Sequence, residues 1–120
     1  MRLSDSKSGN GLADCRLNYS VELYSITGNC KDTGFKDQIT RAGLSIASSI
    51  AEGYERDSLP ARIQYLFIAK GSCGEVWAQL MIGRSAGLLP TDTCKQLEQE
   101  TKEISGMLWG LIKHFKARKS

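Results

Sequence analysis

The sequence predicts an all-α protein, an antiparallel up-down-up-down four-helix bundle, and three observations carry that expectation. Apolar residues recur at steps of three and four through four separate segments, the spacing that places them on one helix face. Clusters of glycine, asparagine and proline separate the segments and supply the stops and starts that helices need. No run alternates apolar and polar residues as a half-buried strand would. Amphipathic helices joined by loops this short pack as neighbours that reverse direction. A chain of 120 residues makes one domain, and a hydrophobic fraction of 41% is enough to build its core without disulfides or a structural metal.

Residues 1–12 are expected to form a flexible leader, because Ser4, Ser6, Ser8, Gly9, Asn10 and Gly11 neither bury surface nor fix a backbone. The bundle domain then covers residues 13–117, and residues 118–120 end a basic tail. In the first helix Leu12, Cys15, Tyr19, Leu23 and Ile26 share a face, and TGNCKDTG (27–34) breaks it. The second helix starts near Phe35 with the stripe Ile39, Ala42, Ile46, Ser49 or Ile50, and Gly53. It stops where Asp57, Ser58 and Pro60 supply a capping side chain and a helix-starting proline. The third, from Ala61 to Ala86, is apolar on more than one face. Ile63, Leu66, Cys73, Trp77 and Leu80 form one stripe, with Phe67, Ile68, Val76, Met81 and Ile82 beside it, which predicts a central position. Gly87 is placed to close it in a left-handed cap. The fourth carries a heptad seam of Cys94, Leu97, Thr101, Ile104, Leu108, Leu111 and Phe115. Gly71 with Gly74, and Gly106 with Gly110, are expected where neighbouring helices approach closely.

Most chemistry is excluded by what is missing. The single histidine, His114, sits among lysines with Leu111 three positions before it, so the Glu-x-x-His pairs of a di-iron bundle are absent and a catalytic triad has no second place to form. Cys15, Cys30, Cys73 and Cys94 contain no C-x-x-C pair, which excludes a zinc ribbon and a dithiol redox motif. The glycines match no phosphate-loop or dinucleotide pattern. We therefore expect no enzyme, no cofactor and no metal. The polar start has no apolar signal core, and no apolar run approaches the ~20 residues of a membrane span, so a cytoplasmic protein with reduced thiols is expected. No stretch interleaves aromatic and basic residues as a stacking platform. The net charge of +3 is small, and its excess gathers in Lys113, Lys116, Arg118 and Lys119.

One short stretch, SSIAEGYERDS (48–58), crowds small residues before a burst of charge. On a helix Arg41, Ser45, Ser48, Glu52 and Arg56 form a polar stripe opposite Ile39, Ile46 and Ile50, with Glu52 and Arg56 spaced for an ion pair. The stripe reads first as a solvated face with ordinary ion pairs, and second as a subunit contact.

The segments GLSIASSIAEGYER (43–56), QYLFIAKGSCGEVWAQLMIG (64–83) and AGLL (86–89) resemble the four helix bundle protein family, the 23S rRNA-intervening sequence proteins, first described from reading frames inside bacterial 23S ribosomal RNA genes. The resemblance runs from about residue 14 to residue 115. It implies a small bacterial cytosolic protein that assembles as a ring-shaped homopentamer. It also implies a fold similar to the accessory variability protein of diversity-generating retroelements, which engages nucleic acid and a reverse transcriptase through basic surface. The family motif falls on Ile50, Ala51, Glu52, Gly53 and Tyr54, and on Tyr65, Ala69, Lys70, Gly71 and Ser72, as packing and assembly residues. Ala47 and Ser49 stand where the family writes proline and asparagine, and Cys15 lies near its usual tryptophan.

Two functions follow as expectations. One is a homo-oligomer that contacts RNA or DNA phosphates through Arg41, Arg56, Arg62, Lys70, Arg84, Lys113, Lys116, Arg118 and Lys119. The other is a structural or adaptor oligomer that binds a protein partner.

Overall fold

The computed structural model describes residues 9–118, with side chains from residue 18 onward. Four helices make up the fold: α1 (Gly9–Thr27), α2 (Thr33–Tyr54), α3 (Leu59–Ser85) and α4 (Thr91–Ala117), with no strand among the described residues. Helix α1 already includes Gly9 to Leu12, inside the stretch expected to be leader; residues 1–8, Lys119 and the side chains of Leu12 and Cys15 lie outside the described ones.

Local chemistry sets the helix boundaries. The Asp32 carboxylate accepts from the Phe35 N–H at 3.0 Å and caps α2, and the Ser58 hydroxyl does the same for α3 through the Ala61 N–H at 3.3 Å. At the end of α3, Gly87 takes φ +77°. The Leu88 N–H then reaches the Gly83 carbonyl at 2.8 Å and the Gly87 N–H the Arg84 carbonyl at 3.3 Å, a Schellman closure.

One core joins all four elements. Helix α1 contributes Tyr19 and Leu23, α2 contributes Ile39, Ile46 and Ile50, α3 contributes Leu66, Cys73, Val76 and Leu80, and α4 contributes Cys94, Leu97, Ile104, Leu108, Ile112 and Phe115. Each helix touches two others, α1 and α3 both lying against α2 and α4. Two polar links cross this core. The Tyr19 hydroxyl meets Thr101 Oγ1 at 2.6 Å; since the Thr101 hydroxyl donates to the Leu97 carbonyl, Tyr19 is the donor. The Ser72 hydroxyl bonds Ser45 Oγ at 2.9 Å, which ties α3 to α2 and removes Ser45 from the solvated stripe the sequence suggests.

Two further expectations change. The α4 seam closes on Ile112, fully buried, with Leu111 only half-buried. An ideal helix drifts against a strict seven-residue repeat, so the inward position after Leu108 falls four residues on instead of three. The close approaches within the chain use other glycines than those expected. A Cβ at Gly43 would strike Leu23, one at Gly53 would sit 3.3 Å from Tyr65 Cβ, and one at Gly83 would lie 2.7 Å from Leu89 Cδ1 and 2.8 Å from Phe35 Cζ. At Gly71, Gly74, Gly106 and Gly110 it would meet nothing within 4 Å among the described residues.

Candidate nucleic-acid interface

Of these bare glycines, Gly71, Gly74 and Gly106 border a groove between α3 and α4. Its larger part, about 620 Å³, is lined by Phe67, Lys70, Gly71, Lys102, Ser105, Gly106 and Trp109. A smaller part of about 200 Å³ continues it past Cys73, Gly74, Trp77 and Thr101 and shares Lys102 and Ser105. Phe67 and Trp109 are 42% and 41% exposed, and their centroids stand 6.3 Å apart at a tilt of 59°.

Ammonium groups sit over these rings. Lys70 and Lys113 lie 6.0 and 5.8 Å from the Trp109 centroid, Lys116 lies 5.1 Å from Phe67, and Lys102 lies 5.4 Å from Trp77. Arg62, whose Nε donates to the Arg56 carbonyl, crosses Phe115 at 5.7 Å. The interleaved platform that no single stretch of sequence contains is thus assembled across two helices. Phe67, Lys70, Gly74 and Trp77 recur at steps of three and four on α3, as do Lys102, Gly106, Trp109, Lys113 and Lys116 on α4. That second periodicity, beside the core seam, was the available signal.

Charge is distributed unevenly along the helix pair. Residues 58–74 and 104–118 contain no carboxylate, whereas they hold Arg62, Lys70, Lys113, Lys116 and Arg118. The contacts of Arg62 with Phe115, Phe67 with Trp109, and Lys70 with Trp109 bring these segments to one end of the pair. Glu52, Glu55 and Asp57 belong to the neighbouring end of α2 and its loop, where Glu52 is already paired with Arg56 at 2.8 Å. Arg56 also stacks on the Tyr65 ring at 5.0 Å.

The remaining candidates are placed elsewhere. Arg84 is half-buried and held by Glu98 at 2.6 Å, a hydrogen-bonded carboxylate that raises the guanidinium pKa further. Arg41 lies exposed on α2. Of the motif residues, Ile50, Gly53 and Ser72 are buried in helix contacts, while Ala51, Glu52, Tyr54 and Gly71 face outward. His114 is exposed, its ring 5.4 Å from Phe115.

Reactive groups are muted. Burial pushes the Cys73 thiol to about 12 and the Cys94 thiol to about 11, which keeps both protonated, and Tyr19 is raised by burial as well. Glu100 is raised to about 7, first by burial and then by the Glu22 carboxylate across the α1–α4 contact. Among the described residues no group of histidines, cysteines and carboxylates is arranged to hold a metal, and no helix is long and apolar enough to cross a membrane.

No curated protein matches this chain. A solved protein of unknown function from the S23 ribosomal protein family of Bacteroides thetaiotaomicron superposes with a TM-score of 0.80 at 22% identity, over 87% of this chain and 96% of its own, a likeness of fold. The sequence model of the 23S rRNA-intervening sequence protein matches residues 16–110, so the chain belongs to that family.

Proposed function

We propose that this protein is a non-enzymatic, cytoplasmic homo-oligomer of antiparallel four-helix bundles that binds nucleic acid through the basic end of α3 and α4. The observation that carries this reading is the carboxylate-free pair of segments, 58–74 and 104–118, which gathers Arg62, Lys70, Lys113, Lys116 and Arg118, with Lys70, Lys113 and Lys116 over the exposed rings of Trp109 and Phe67. A net charge of +3 understates that end, because the acidic residues Asp92, Glu98, Glu100 and Glu103 lie on the other part of α4. Phosphates neutralised there release condensed counterions, the main source of sequence-independent affinity.

Assembly is supported by apolar surface that the chain leaves open. Ile68 and Ile82, 44% and 59% exposed, lie on one outer face of α3 with Gly71, Glu75 and Ala78 between them at steps of three, four, three and four. Val21 and Leu44 are 59% and 47% exposed on α1 and α2. The resemblance points to five subunits. A ring would repeat one modest basic patch and strengthen weak single contacts by avidity.

Binding of labelled RNA and DNA to the full chain tests the reading. Affinity is expected at ~50 mM salt and is expected to fall steeply as salt rises, with slight sequence preference. An oligomer that binds neither at that salt replaces this reading with an adaptor for a protein partner. Sedimentation equilibrium at micromolar concentration is expected to give a multimer; a monomer rejects the assembly.

A further inference from the structure

We propose that the groove between α3 and α4 takes unpaired bases, so that the protein prefers single-stranded nucleic acid. This deepens the reading above and rests on it. Both tryptophans of the chain, Trp77 and Trp109, border the groove. Lys102 lies over Trp77 and stands seven residues before Trp109 on α4, so the two indoles are separated by about 10 Å along the helix. That arrangement offers two stacking stations in line, each with its own lysine.

Three properties fit a base with its phosphate better than a purely apolar partner. The groove lining contains Lys70 and Lys102 and no carboxylate, so it complements an anion. Gly71, Gly74 and Gly106 leave the helix backbone bare where a side chain would fill the space a planar ring needs. The tilt between Phe67 and Trp109 keeps the rings from covering each other, and ammonium groups lie over their faces 5.1 to 6.0 Å away. An exposed cation–π contact of this length is weaker than a stacked base. The base displaces the ammonium, and the flexible lysine stem carries the charge to the adjoining phosphate. Bases in a duplex present no free face, which is why stacking selects single strands.

The test titrates the full chain with a single-stranded oligonucleotide, an abasic oligomer of the same length and charge, and a duplex, following tryptophan fluorescence and affinity. The base-bearing strand is expected to quench the fluorescence and to bind about 10-fold more tightly than the abasic one. The Trp109→Leu variant, and independently Gly106→Leu, which fills the groove, are expected to remove that advantage and leave duplex affinity unchanged. Equal binding of base-bearing and abasic strands, with Trp109→Leu unaltered, overturns the stacking site while the phosphate reading stands. Binding of none of the three overturns both. A Trp109→Leu variant that changes its sedimentation and not its affinity assigns the groove to a second copy of the chain and overturns the proposal.

Discussion

The glycines of this protein divide into two regions that use the same residue differently. At Gly43 and Gly83 a missing side chain lets Leu23, Leu89 and Phe35 pack against a helix backbone inside the chain. Along the outer α3–α4 groove, Gly71, Gly74 and Gly106 are equally bare, and no atom of the described residues comes within 4 Å of where their side chains would stand. A glycine within a helix costs about 0.5 to 1 kcal/mol relative to alanine. Inside the bundle that cost is offset by packing. On the groove it has no return within one subunit, which directs attention to a ligand outside it. Adjacent residues show the same division: Leu108 is fully buried, while its neighbour Trp109 is 41% exposed.

Stability measurements sharpen this contrast. The largest effect is expected from Leu108→Ala, a loss of about 2 to 5 kcal/mol from transfer and cavity terms. Denaturant unfolding checks it, and a loss under about 1 kcal/mol would mean the seam is not packed. Gly83→Ala should destabilise by about 1 to 3 kcal/mol, because Leu89 and Phe35 are confined on both sides of the new methyl. Gly106→Ala should go the other way and stabilise by about 0.5 to 1 kcal/mol. If both glycine variants shift unfolding in the same direction, the distinction between the two regions is lost.

A smaller, pH-dependent effect belongs to the α1–α4 contact. Glu100 keeps its proton in the folded state up to about pH 7, while in the unfolded chain it releases it near 4.5. Folding therefore holds more protons than unfolding between those values, and stability should fall as pH rises from about 4.5 to 7 and then level off. Glu100→Gln should flatten that decline, leaving stability at pH 4 nearly unchanged and raising it at pH 8. An equally steep decline in the variant would assign the effect to another group.

Much of the helical plan was legible because it depends on local pattern. Ile39, Ala42, Ile46, Ile50 and Gly53 of α2 read directly as a buried stripe, while Ser58 announced the start of α3 through its capping hydroxyl and Gly87 the end of α3 through its backbone freedom. The choice between Leu111 and Ile112 was not legible, since a strict heptad and a drifting helix part company after several turns. Which glycines touch a neighbour depends on the rotation of one helix against another, a property no single helix encodes. The basic tail was visible as a run, but the aromatic and lysine platform was divided between Phe67, Lys70 and Trp77 on α3 and Lys102, Trp109 and Lys116 on α4. Packing joins the two halves.

The slope of log affinity against log salt for single-stranded RNA, compared between the full chain and Lys113→Ala/Lys116→Ala/Arg118→Ala, tests most directly whether the basic end of α3 and α4 is the contact surface. Each phosphate contact on a single strand contributes about 0.7 to the slope, so losing three should flatten it by about 2 while the bundle stays folded. A slope unchanged in the triple variant, with binding retained, would contradict the account and move the contact away from this end of the molecule.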